Sequence, residues 1–103
     1  MSELGDKRKL FTRLLPRLID KMVADGCEPM LGKDGLRHMK GSLHFEGLAV
    51  DIDLTRDGRY LPLTEHHQSF GEFWESLHPD CRWGGRFKAP DGNHYSVTYM
   101  GKA

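Results

Sequence analysis

Leu10, Leu14, Leu18 and Met22 recur at four-residue steps, with Phe11, Leu15, Ile19 and Val23 beside them. This pattern predicts an amphipathic helix from Asp6 to Ala24 that turns a broad apolar stripe to a core. Asp6 is the expected cap and Gly26 the stop signal, while Pro16 inside the run predicts a kink or two short helices. From Cys27 to Gly41 the punctuation by Pro29, Gly32, Gly35 and Gly41 predicts short extended pieces and turns. The pattern then changes period. Leu48, Val50, Ile52 and Leu54 alternate with Ala49, Asp51 and Asp53, the mark of a strand with one buried face, and Asp51 points away from it. A turn at Arg56–Arg59 and a short extended return from Tyr60 to Leu63 follow. Thr64 is the expected cap of a second helix, with His67, Phe70, Phe73, Trp74 and Leu77 on one side and Pro79 at its end. Arg82–Phe87 reads as an extended segment broken by glycine. Asn93–Met100 returns to alternation, with Tyr95, Val97 and Tyr99 on one face and His94, Ser96 and Thr98 on the other. His94 and Asp51 therefore both occupy the polar side of their strands.

A chain of 103 residues fits a single domain, 1–103, with one modest core. The formal charge is zero, which gives no support to binding of nucleic acid or a membrane by the molecule as a whole. Its distribution is uneven: Lys and Arg predominate before Gly41 and after Asp80, and Asp and Glu between them. The acidic middle favours a divalent cation. The cluster Lys7, Arg8, Lys9, Arg13 and Arg17 lacks an accompanying aromatic or second basic element and is read as a solvated helix face. Cys27 and Cys81 are far apart and form no Cys-x-x-Cys motif, so they are expected as small core residues of a protein made in a reducing compartment. No apolar run reaches the roughly twenty residues that span a bilayer, and the first residues lack the apolar core of a secretory signal.

The residues with chemical potential fall in two places. His44 and Asp51 flank a Gly47-Leu-Ala segment, and Asp91 and His94 stand three apart near the end of the chain. Two His and one Asp can supply three ligands to zinc, leaving one position for water, and a further carboxylate can then act as a base. Each residue alone also has an ordinary explanation: an isolated His is commonly a surface or hydrogen-bonded residue, and Asp91-Gly92 is a common turn dipeptide. Residue type and spacing leave the two possibilities open. His66 and His67, at a helix start, are expected to be partly exposed polar residues.

Ser42-Leu-His44-Phe-Glu-Gly47-Leu-Ala49-Val-Asp51 resembles the S-x-H-x-x-G-x-A-x-D motif of the LAS-type zinc peptidases. These include D-alanyl-D-alanine carboxypeptidases, vancomycin-resistance dipeptidases and phage L-alanyl-D-glutamate endopeptidases. Trp83-Gly84-Gly85-Arg86-Phe87, followed by Asp91-Gly-Asn-His94-Tyr95, is similar to the W-G-G-x-F and D-x-x-H-F elements of the phage branch. Together the motifs cover about the last two-thirds of the chain in the family's order. The resemblance implies that His44, Asp51 and His94 ligate one zinc ion and that Asp91 is the catalytic acid and base. It also implies an α+β fold of the hedgehog and DD-peptidase kind, in which a small antiparallel sheet carries the zinc and packs against N-terminal and middle helices. Ser42 matches the serine before the first ligand and is expected to orient that ligand or the substrate. Arg37 is the close candidate for the arginine that members carry upstream of the first motif, although the intervening stretch is short. Trp83 either lines a substrate groove or packs within the fold, and Tyr95 stands where Phe is frequent.

What the resemblance implies for function is a zinc peptidase that cuts the stem peptide of bacterial peptidoglycan; a monomer is expected. In the carboxypeptidases and dipeptidases the base is usually a Glu before the last His; Asp91 favours the L-alanyl-D-glutamate endopeptidases. The alternatives are a D-alanyl-D-alanine carboxypeptidase and a zinc-containing binding module without turnover. Synthesis in the bacterial cytoplasm is expected, with access to the cell wall through a holin or host lysis.

Overall fold

The computed structural model describes residues 2–32, 43–44 and 46–103. Helix α1 spans Glu3–Ala24 and opens at Ser2, whose hydroxyl accepts the Gly5 N–H at 3.0 Å. The cap thus lies ahead of Asp6, which sits in the first turn, where a negative charge complements the helix dipole. The run is not divided into two short helices, because α1 continues through Pro16. Thr12, whose carbonyl loses its amide partner to Pro16, lies with Pro16 on the exposed side, where water can serve that carbonyl. The penalty of about 3 kcal/mol for an internal proline is opposed by a stripe of buried Phe11, Leu14, Leu18 and Met22 that spans both sides of it. Gly26 ends the helix at φ +87°, with Gly26 N–H donating to Val23 O and Cys27 N–H to Met22 O, the bonds of a Schellman motif.

Five antiparallel strands form one sheet: β1 (Glu28–Leu31), β2 (Ala49–Arg56), β3 (Arg59–Tyr60), β4 (Cys81–Trp83) and β5 (His94–Val97). Their order is β1-β2-β5-β4, and β3 pairs with the end of β2. The β2–β3 hairpin turns at Asp57 and Gly58, both at positive φ, as a two-residue turn matched to strand twist requires. Thr64 is not a helix cap. Thr64–His67 form a turn of 3-10 helix in which His66 Nδ1 accepts the Leu63 N–H at 3.0 Å, and α2 follows over Gln68–Leu77. It stops at His78, which is extended because it precedes Pro79. The glycine-broken segment is strand only as far as Trp83, since Gly84–Arg86 form a second 3-10 turn.

The fold is therefore α+β, with a small open antiparallel sheet and two helices among the described residues. The buried stripes of α1 and α2 join Leu48, Ile52, Leu54, Tyr95 and Val97 in the core, with the Trp74 ring edge-on to both Phe11 and Tyr95. Cys27 and Cys81 are free thiols buried in the same core. Alternation along β5 separates Tyr95 and Val97 from His94 and Ser96, but both faces are covered, for all four residues are buried. No helix among the described residues is long and apolar enough to cross a membrane.

Candidate metal centre

β2 is the middle strand at the point that matters. Asp51 lies opposite His94 of β5 in register, while the Gly32 N–H, just beyond β1, donates to the Asp51 carbonyl at 2.7 Å. His44 arrives from a turn before β2. Leu48 N–H donates to Leu43 O at 2.8 Å, Gly47 N–H to His44 O at 3.2 Å, and Gly47 takes φ +75°, a conformation that favours glycine. The turn folds His44 back over the face on which Asp51 and His94 already stand side by side.

Three donor atoms converge there. His44 Nε2 lies 3.1 Å from His94 Nδ1 and 3.5 Å from Asp51 Oδ1, and His94 Nδ1 lies 3.7 Å from Asp51 Oδ1. Ligand distances of about 2.0–2.2 Å to zinc in a tetrahedron place neighbouring ligand atoms about 3.4 Å apart, so the three atoms have the spacing of one tetrahedral face. Two facing imidazole nitrogens can share one proton at most, and the carboxylate brings further electron pairs to the same point. A cation satisfies all three. His44, Asp51 and His94 are thus a group that could hold a metal ion, and no other such group occurs among the described residues. His94 turns Nδ1 to this centre, while its Nε2 is buried without a hydrogen-bond partner and the Phe87 ring packs against the imidazole with centroids 5.1 Å apart.

The segment before His94 is held at several points. Asp91 N–H donates to Gly84 O at 2.9 Å, His94 N–H to Asp91 O at 3.1 Å, and Ile52 N–H to Asn93 O at 2.9 Å. Asn93 Nδ2 donates to Asp53 Oδ1 at 3.3 Å. Trp83 Nε1 donates to Gly92 O at 2.7 Å. Trp83 is 3% exposed, so it supports the Asp91–His94 turn from within and does not line a groove. The glycines of the Trp-Gly-Gly element have a matching reason: a Cβ on Gly84 would strike the Asp91 carbonyl oxygen and come within 2.7 Å of His94 Cβ, and one on Gly85 would strike the Trp83 ring. Asp91 itself is exposed, at the start of a rigid turn that ends on a candidate ligand. Arg37 and Ser42 lie outside the described residues.

One residue at this end of the sheet departs from expectation. His67 is 2% exposed, not a partly exposed polar residue, and its Nδ1 lies 2.7 Å from the Tyr95 hydroxyl. Burial, with the neighbouring His66 adding to it, pushes its pKa down to about 4 against the pull of Asp53. Burial likewise raises the Tyr95 phenol. The available signal was the position of His67 on the apolar side of the second helix, together with a Tyr on the buried face of β5 whose hydroxyl needs a partner. No family model matches this chain, and no curated protein matches it in sequence.

Proposed function

We propose that this protein is a zinc-dependent peptidase that cleaves the stem peptide of bacterial peptidoglycan, as an L-alanyl-D-glutamate endopeptidase. The observation that carries the proposal is the triangle of His44 Nε2, Asp51 Oδ1 and His94 Nδ1, with edges of 3.1–3.7 Å. It is formed by the same residues that the S-x-H-x-x-G-x-A-x-D and D-x-x-H resemblances assign as ligands. Two imidazoles and a carboxylate suit zinc. When bound, zinc polarises the scissile carbonyl and lowers the pKa of a water in the open coordination position.

The chain's own residues do the rest. His44, Asp51 and His94 fix where the carbonyl is presented, on a strand pair and a turn whose backbone bonds leave little freedom. Asp91 accepts the proton of the water that attacks the carbonyl carbon and delivers it to the amide nitrogen as the C–N bond breaks. Its exposure suits a group that must meet a polymeric substrate, and the bonds of its turn to Gly84, Trp83 and Ile52 suit a group that must hold its position. The stem peptide is the partner. Synthesis in the bacterial cytoplasm, followed by access to the wall through a holin or lysis, completes the proposal.

Digestion of purified peptidoglycan tests it. New N-terminal D-glutamate, identified by mass spectrometry and abolished by a chelator, is the expected result. Release of D-alanine alone reassigns the protein to the carboxypeptidases. Zinc binding without any cleavage reassigns it to a non-catalytic module.

A further inference from the structure

Two buried polar atoms of β5, His94 Nε2 and Ser96 Oγ, have no hydrogen-bond partner. Both lie on the face of the metal centre, since His94 and Ser96 pair with Asp51 and Ala49 in register and strand alternation puts the two side chains on one side. The residues are 5% and 0% exposed, so bulk water does not serve either atom. An unpaired buried polar group costs about 1–3 kcal/mol, and a donor and an acceptor two residues apart on one face are natural complements. Side chains two apart along a strand start about 7 Å from each other. The imidazole covers part of that distance, and the remainder suits one bridging water. The strand beneath is rigid at this point, because Trp74 Nε1 donates to the Ser96 carbonyl at 2.9 Å.

We propose that Ser96 is a positioning residue for the metal centre: its hydroxyl, through one buried water, accepts the Nε2 proton of His94 and so leaves Nδ1 as the ligating nitrogen. A neutral imidazole carries one proton, and the hydrogen bond made by one nitrogen decides which nitrogen is left to bind metal. Nδ1 is the nitrogen that faces His44 and Asp51. The inference rests on the assignment of His44, Asp51 and His94 as a zinc centre, and is independent of which bond the protein cuts.

Zinc affinity of the full chain, measured by competition with a chromophoric chelator, tests it alongside the nitrogen-15 spectrum of the histidines. Ser96→Ala is expected to weaken zinc binding by about tenfold. In the unsubstituted zinc-loaded protein, His94 is expected to carry its proton on Nε2, in slow exchange and close to a long-lived water. Equal affinity of the two proteins overturns the inference and leaves the centre standing. A proton on Nδ1, or a rapidly exchanging Nε2 proton, overturns it as well, and that spectrum decides alone if Ser96→Ala does not fold. Failure of the unsubstituted protein to bind zinc overturns the centre and the inference together.

Discussion

His94 and His67 are both buried histidines, one on β5 and the other packed against the residue next to it, yet their surroundings differ in kind. His67 Nδ1 meets the Tyr95 hydroxyl at 2.7 Å, a group that can donate or accept, so the pair satisfies itself and the ring stays neutral with its pKa near 4. His94 Nδ1 meets a second imidazole at 3.1 Å and a carboxylate at 3.7 Å, three electron-pair donors at one point between which the two rings can share one proton at most. Burial by itself therefore does not separate a structural histidine from a ligand. The chemistry of the facing atoms does: a hydroxyl closes a hydrogen bond, whereas converging lone pairs call for a cation.

The sharpest way to break this contrast is to exchange the fates of the two rings. His94→Ala is expected to abolish zinc binding and hydrolysis, read by metal content after dialysis and by release of peptidoglycan fragments. Retained stoichiometric zinc would remove the distinction. Asp91→Ala should keep its zinc but lose hydrolysis by about 10²–10⁴-fold, and full activity in that variant would overturn its role as base.

Acid probes the His67 side of the comparison next. The unfolded chain protonates His67 near its ordinary value of 6.5, while the folded protein resists until about pH 4. Proton uptake therefore favours unfolding within that window. The contribution of this residue to stability is full above about pH 7, is lost as pH falls from 6.5 to 4 by up to about 3 kcal/mol, and does not change further below. Denaturant titrations of the protein and of His67→Phe across this range should show the slope reduced in the variant.

Gly84→Ala is expected to cost about 2 kcal/mol and to reduce activity as well, because the added methyl pushes on the Asp91 carbonyl and His94 Cβ together; a variant as stable and active as the parent would show that the turn has room. The smallest effect belongs to His67→Phe at neutral pH. It strands the Tyr95 hydroxyl at a cost of about 1–2 kcal/mol and leaves zinc affinity unchanged, so a loss of affinity there would tie the two histidines into one unit.

Much of this contrast could be read before folding was considered. The four-residue periodicity from Leu10 to Met22 and the two-residue alternation in Leu48–Leu54 and Asn93–Met100 are local consequences of helix and strand geometry, and they already turned Asp51 and His94 to the non-core side of their strands. Helix limits were less legible, because Ser2 and Asp6 are both competent caps and only the first turn's own bonds choose between them. Likewise the penalty at Pro16 is local, but the apolar stripe that overrides it acts through the core. That Asp51 and His94 stand directly opposite each other is a matter of register between strands some forty residues apart in the chain, and no local preference sets it. The placement of His44 over that pair, the burial of His67 against Tyr95, and the use of Trp83 as a prop beneath Gly92 belong to the same category. Each depends on which group from a distant segment arrives to fill a hydrogen bond or a coordination position, and that is decided by packing.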